Sequence, residues 1–128
     1  MENLKIEGTD RTPEIDFDFG QSYLRMKGES YPEDFTAFYG PVLAALDKHL
    51  EALGAGSCRM DFELIYFNSS SAKVIMTIFD KLDNAGKNGA SVAITWYYDE
   101  EDDTMEELGE EFGEDLEYAE FQMKKYAE

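Results

Sequence analysis

Two apolar periodicities alternate along this chain, and their order leaves few architectures open. A period of two residues is the pattern of a half-buried strand, and helical spacing that of an amphipathic helix. The strands predicted in this way cover residues 15–19, 23–27, 58–67 and 92–98, with a last edge strand around Phe121 and Met123. The helices predicted between them cover residues 30–53, 72–82 and 105–112. This alternation implies parallel strands joined by right-handed crossovers, so we predict one α/β domain over residues 1–128 with a mixed sheet.

Turn and cap residues refine these boundaries. Residues 20–22 are predicted to close a hairpin between the first two strands. Ser30 followed by Glu33 has the spacing of a capping box, so the first helix is predicted to open at Ser30. Pro41 lies inside this helix and is expected to kink or divide it. The continuous apolar run over residues 64–67 indicates a central strand that is buried on both faces.

The charge balance excludes several classes of partner. The chain carries 29 acidic and 11 basic side chains, which gives a formal net charge of −18. Nucleic acids and anionic membrane surfaces would be repelled, because binding to phosphates needs clustered Lys and Arg. No run is long and apolar enough to span a membrane, and residues 1–10 lack the regions of a signal peptide. The partners are therefore expected to be proteins.

The cysteine content points to a reducing compartment. Cys58 is the single cysteine and has no internal partner for a disulfide, so a cytoplasmic location is expected. Cys58 is interpreted as a small buried apolar residue rather than a nucleophile, because His49, the one histidine, is a poor basis for a Cys/His pair. No metal or cofactor is expected.

The segment from Asn68 to Ser71 is the most informative part of the sequence. A predicted strand runs straight into a predicted helix there, and small polar residues occupy the junction. The first N–H groups of a helix lack internal partners and carry the positive end of its dipole, so the junction favours an anion such as a phosphoserine. Lys73 lies four residues after Ser69, where it can neutralise a phosphate. The simpler interpretations are that Asn and Ser only cap the helix and that Lys73 is a solvated lysine.

This junction resembles the Asp-Ser-Ser-Gly junction of STAS domains, the anti-sigma-factor antagonists, in which a dedicated kinase phosphorylates the first serine. In that alignment Asn68 takes the place of the aspartate, Ser69 that of the phosphorylated serine and Ser70 that of the second serine. Ser71 stands where STAS domains often have glycine. This departure bears on how closely a kinase can approach.

Over nearly its whole length the chain is similar to the SiaC family of regulatory phosphoproteins, which are STAS-like in architecture. The segments that carry this likeness are Gly8-Thr9, Thr12-Pro13, Gly28-Glu29-Ser30-Tyr31-Pro32-Glu33, Tyr66-Phe67-Asn68-Ser69-Ser70, Ile78-Phe79-Asp80, Trp96-Tyr97-Tyr98-Asp99 and Glu110-Glu111-Phe112. The resemblance implies a mixed sheet with its helices packed mainly on one face.

The resemblance also implies a function. Ser69 would be the phosphorylated residue, flanked by Asn68, Ser70, Ser71 and Lys73. The implied partners are a serine/threonine kinase of the anti-sigma-factor type, a PP2C-type phosphatase and a diguanylate cyclase that the unphosphorylated form activates. The chain would then be a partner-switching protein that tunes cyclic-di-GMP output, and with it biofilm formation or aggregation, without being an enzyme itself.

Two other functions stay open at the level of sequence. One is an enzyme with Ser69 as nucleophile at the strand–helix turn, although the only available histidine base is His49 and no Gly-x-Ser-x-Gly pattern is present. The other is an unmodified acidic binding module, because residues 99–120 contain thirteen acidic side chains and no basic one. That segment is either a solvated acidic face or a surface that speeds docking onto a basic partner. An EF-hand is rejected, because Thr104 occupies the place of the required glycine.

Overall fold

The computed structural model describes residues 2–126, which form six strands and three helices. The strands are β1 (Leu4–Ile6), β2 (Glu14–Asp18), β3 (Tyr23–Ser30), β4 (Ser57–Phe67), β5 (Ser91–Tyr98) and β6 (Glu120–Lys125). The helices are α1 (Phe35–Leu53), α2 (Ser69–Lys87) and α3 (Asp103–Glu114). Each element predicted from periodicity is present, and β1 is an additional strand, too short at three residues to show a clear alternation.

All six strands lie in one sheet, in the same order as in the chain. β1, β2 and β3 pair antiparallel, whereas β3, β4, β5 and β6 pair parallel. Each helix connects one parallel strand to the next in the same direction, and right-handed connections of this kind place all three helices on one face. The predicted mixed sheet with its helices on one side is therefore confirmed. No helix within residues 2–126 is both long and apolar enough to cross a membrane.

The core lies between the helices and the covered face of the sheet. The strands supply its largest fully buried side chains, among them Ile15, Phe17, Leu24, Met26, Met60, Phe62 and Trp96. The helices supply Val42, Leu46, Ile75, Ile78 and Phe79. Burial of apolar surface contributes about 25 cal/mol per Å², so this layer is the main source of stability.

Helix α3 packs against the sheet through two glycines. A Cβ atom at Gly109 would lie 2.5 Å from the Trp96 ring, and one at Gly113 would overlap the ring of Phe121. The Trp96 indole N–H donates a hydrogen bond to the Met105 carbonyl oxygen at 3.1 Å. Because glycine has no side chain, α3 can approach β5 and β6 this closely.

The prediction that Ser30 caps the first helix is wrong. Ser30 is the last residue of β3 and is fully buried. The cap is Asp34, whose side chain accepts a hydrogen bond from the backbone N–H of Ala37 at 3.0 Å. Aspartate and serine are comparable caps, and strand pairing, which a capping pattern does not report, extends β3 as far as Ser30.

Pro41 does not divide α1, which runs without a break through it. Proline lacks the N–H that would bond to the carbonyl four residues earlier, at Ala37. Both Pro41 and Ala37 lie on the exposed side of the helix, where solvent can satisfy that carbonyl oxygen. The predicted division is therefore wrong.

The prediction that the end of β4 is buried on both faces is also wrong. Ile65 is 61% exposed and Tyr66 is 51% exposed. Pairing with β5 ends at Phe62, so the last residues of β4 extend past that neighbour. The helices cover only one face of the sheet. These two large apolar side chains therefore lie on the surface, close in sequence to the β4–α2 junction.

Candidate functional site

The predicted site lies where β4 runs into α2, at the carboxyl-terminal ends of the parallel strands. Asn68 has an extended backbone and caps α2, because its side-chain oxygen accepts a hydrogen bond from the Ser71 N–H at 2.9 Å. The backbone N–H of Asn68 donates to the Ser30 carbonyl oxygen at 3.1 Å. Asn68 alone therefore performs the side-chain capping, and the three serines that follow it are not needed for that purpose.

Ser71 belongs to a buried chain of hydroxyl groups. Its hydroxyl donates to the Ser30 carbonyl oxygen at 2.8 Å and lies 2.7 Å from the Ser30 hydroxyl. The Ser30 hydroxyl lies 2.6 Å from the Tyr39 hydroxyl of α1. All three residues are at most 1% exposed. Burial raises the pKa of Tyr39 to about 12, so its O–H stays protonated and available for this network. Ser71, where STAS domains often have glycine, thus joins α2 to β3 and α1.

Ser69 and Ser70 occupy the first two positions of α2, and both are exposed. The first turn of α2 contains no acidic side chain. Within residues 2–126 neither serine hydroxyl makes a hydrogen bond, so both are open to a modifying enzyme. A phosphate on either would lie at the positive end of the helix dipole, next to backbone N–H groups that have no partner inside the helix.

One face of α2 continues outward from Ser69. Lys73 and Met76 follow it by four and seven residues, which places all three on the same side of the helix. Lys73 is exposed, and Met76 is 53% exposed. Lys73 therefore lies about one helical turn after Ser69, on the same side of α2. The exposed Met76 is new, and its helical spacing from Ser69 is the signal in the sequence that would have identified it.

Two exposed apolar side chains, Ile65 and Tyr66, border the junction on the β4 side. The ring of Tyr66 packs edge to face against Tyr31 at a centroid distance of 5.8 Å. Both side chains are open to contact with a partner protein. The sequence predicts these residues to be buried and so misses their exposure.

The histidine needed by an enzymatic Ser69 lies elsewhere. The His49 Nε2 atom is 2.8 Å from the Ser22 hydroxyl, and its ring packs against Phe19. Ser22 comes just before β3, whereas Ser69 follows the end of β4. Because β3 and β4 are parallel, Ser22 and Ser69 lie at opposite ends of these two strands. His49 therefore cannot serve Ser69 as a base.

The environment of His49 and Cys58 is that of a core. Both are buried, and burial lowers the pKa of His49 and raises that of the Cys58 thiol, so both are uncharged at neutral pH. The interpretation of Cys58 as a buried apolar residue is confirmed.

Comparison with known proteins identifies relatives of this chain. The sequence profile of the SiaC family of regulatory phosphoproteins matches residues 6–126. An uncharacterized protein of Pseudomonas aeruginosa strain UCBPP-PA14 is 38% identical over 118 residues, which cover 92% of this chain and 93% of the relative.

Solved structures from Pseudomonas aeruginosa have the same fold. The crystal structure of apo-SiaC superimposes with a TM-score of 0.89 at 37% identity, covering 97% of this chain and 99% of that one. A second structure contains the diguanylate cyclase SiaD in complex with its activator SiaC. It matches with a TM-score of 0.90 at 36% identity, covering 96% of this chain and 99% of the matched chain.

Proposed function

Because this chain belongs to the SiaC family of regulatory phosphoproteins, we propose that it activates a diguanylate cyclase by direct contact and that phosphorylation of Ser69 abolishes this contact. It would then act in the cytoplasm as a partner switch, and not as an enzyme. A serine/threonine kinase of the anti-sigma-factor type would add the phosphate and a PP2C-type phosphatase would remove it. The output would be cyclic-di-GMP, and through it biofilm formation or aggregation.

The cyclase part of the proposal is supported by the relative that forms a complex with one. That relative is described as the activator of the diguanylate cyclase SiaD, and its chain matches this one along almost its full length. The side chains of Ile65, Tyr66 and Met76 are exposed and offer apolar contacts to such a partner. Binding energy at interfaces is concentrated in a few large side chains of this kind.

The main support for a phosphorylation switch is the exposure of Ser69, which lies between the helix cap Asn68 and the buried Ser71. Asn68 and Ser71 are both held by hydrogen bonds, so the backbone on either side of Ser69 is fixed while its hydroxyl faces solvent. A kinase can therefore reach Ser69 without opening the fold. Ser70 is exposed as well, and the resemblance to the STAS junction, in which the first serine is phosphorylated, favours Ser69.

The phosphate would act through its charge. It adds about −1.5 to −2 charges at neutral pH. In the free protein the helix dipole and Lys73 stabilise that charge. Beneath a docked cyclase the same charge would lose water, and a like-charge or apolar contact over it would cost several kcal/mol. Since about 1.4 kcal/mol is tenfold in affinity, this is enough for a switch.

The proposal is tested with purified SiaD of Pseudomonas aeruginosa and four forms of this chain: unmodified, Ser69→Ala, Ser69→Asp and Ser70→Asp. We expect the first two to bind SiaD and raise its cyclic-di-GMP production, and Ser69→Asp to do neither. Ser70→Asp is the matched control, since it adds the same charge one residue away, and it should retain most of the activity. Equal loss in the two aspartate variants would assign the effect to general charge, and full activity of Ser69→Asp would refute the switch.

A further inference from the structure

The outer edge of β6 is an unpaired strand edge. β6 is the last strand of the sheet, and within residues 2–126 nothing pairs with its outer side. The Tyr126 N–H donates to the Tyr98 carbonyl oxygen at 3.0 Å, so Tyr126 points its backbone groups toward β5. Backbone groups alternate in direction along a parallel strand. Phe121, Met123 and Lys125 therefore direct their N–H and C=O groups outward, where they can bond to another strand.

A groove runs between this edge and α3. Its volume is about 690 Å³, and its apolar floor is formed by Phe121 and Met123. Four carboxylates of α3 form its wall, and we call them the acidic flank: Glu107, Glu110, Glu111 and Glu114. Side chains of a strand added to β6 would alternate between the open face of the sheet and this flank.

The acidic flank is unfavourable for the isolated protein. Glu107 and Glu111, and likewise Glu110 and Glu114, are like charges at a spacing of four residues, which destabilises a helix. The last turn of α3 contains no basic residue, so its acidic side chains lie at the negative end of the dipole. None of the four forms a salt bridge with any residue between positions 2 and 126. A positively charged partner would relieve all of these repulsions.

We propose that this groove binds an extended basic segment of a partner protein, which pairs with β6 as a seventh strand. Backbone hydrogen bonds to the edge would supply affinity, as in other cases of strand addition. Alternate Lys or Arg side chains would contact the acidic flank, and their methylene groups would cover Phe121 and Met123. A second copy of this chain does not fit the charge, because each copy carries −18. The proposal uses neither Ser69 nor the cyclase and stands apart from the proposed function.

The test uses a synthetic peptide of alternating arginine and valine, about eight residues long, which is enough for a strand of ordinary length. Binding to the full chain is followed by amide chemical shifts at about 0.15 M salt, where exposed charges further apart than about 8 Å are screened. We expect the largest shifts in residues 120–125 and 107–114. The same peptide N-methylated at alternate residues keeps its charge but cannot pair with the edge, and it should bind at least about tenfold more weakly.

Charge variants of the protein complete the test. The triple variant Glu107→Gln, Glu111→Gln and Glu114→Gln should lose about tenfold in affinity, the sum of three exposed ion pairs. The matched control replaces Glu2, Glu7 and Glu51, all exposed, by Gln, and should bind as the unmodified chain does. Equal binding of the N-methylated peptide would refute strand addition. An equal loss of affinity in the two triple variants would show that the peptide is held only by non-specific charge attraction, and would overturn the proposal.

Discussion

The Ser71 hydroxyl of α2 donates a hydrogen bond to the backbone carbonyl oxygen of Ser30, at 2.8 Å, in a fully buried position. This contact joins residues that are 41 positions apart in the chain. It fixes the start of the helix that carries Ser69 to the end of β3. The exposed Ser69 and the buried Ser71 are therefore only two residues apart.

Removal of this anchor is expected to destabilise the fold. Ser71→Ala leaves the Ser30 carbonyl and hydroxyl with fewer partners in a dry environment, and such a loss costs about 1–3 kcal/mol. Ser70→Ala is the control, because that side chain is exposed, and its effect should stay within about 0.5 kcal/mol. Urea unfolding followed by circular dichroism measures both free energies of unfolding. A value for Ser71→Ala equal to that of the control would contradict the role of the network.

Phosphorylation of Ser69 is expected to leave the fold intact. The charge lies at a helix N-terminus, where it is worth about 0.3–1 kcal/mol in favour of the helix. The melting temperature of the phosphoprotein should therefore stay within about 5 °C of that of the unmodified protein. Calorimetry of both forms measures this. A large drop in melting temperature, or amide shifts spread across the whole sheet, would indicate that the switch acts by rearrangement of the domain.

Two glycine substitutions in helices should differ clearly in their effect on stability. Gly109→Ala places a methyl group 2.5 Å from the Trp96 ring, and overpacking of this kind costs about 1–3 kcal/mol. Gly40→Ala meets nothing beyond its chain neighbours, and the clash of its Cβ with the ring of Pro41 offsets the helix preference of alanine, so the change should stay within about 0.5 kcal/mol. Thermal unfolding of the two variants gives the comparison. Similar stability changes in both would show that α3 does not approach Trp96 so closely.

Asp83 provides a pH-dependent contact. Its carboxylate accepts hydrogen bonds from the backbone N–H groups of Glu117, Tyr118 and Ala119. Partial burial opposes ionisation, but these three donors prevail and lower the pKa of Asp83 below its ordinary value of 3.8. The unfolded chain therefore binds the proton more readily, so this stabilisation is present above pH 3.8 and is lost as the pH falls through the lowered pKa.

The variant that tests this contact is Asp83→Asn, whose side chain has one acceptor oxygen and no charge. At neutral pH it should be less stable by about 1 kcal/mol, as when a helix cap is lost. The difference from the unmodified chain should narrow as the pH falls below about 4. Urea unfolding at several pH values measures it. A difference that is constant with pH would show that the charge of Asp83 contributes nothing.

Most of the fold follows from periodicity, because the hairpin, the parallel strands and the helices each repeat their pattern locally. The errors concern contacts between distant segments. Ser30 has the local pattern of a cap, yet pairing with β4 makes it the end of a strand. Tyr66 belongs to an apolar run, yet the pairing of β4 with β5 has already ended at Phe62. The site followed the same rule: Asn68 as a cap could be predicted from local pattern, whereas the hydrogen bonds that link Ser71 through Ser30 to Tyr39 could not.

The order of strands in the sheet has a consequence for how the chain acquires its structure. Each strand pairs only with strands that adjoin it in the chain order, so no strand has to insert between two that are already paired. The longest connection closed in this way covers residues 31–56, between β3 and β4. The entropy cost of closing a loop grows only slowly with its length, so connections that carry a helix remain accessible. During synthesis each strand can dock on the one made before it, beginning with the β2–β3 hairpin. β6 is the last of these six strands to be made, and within residues 2–126 no other strand covers its outer edge.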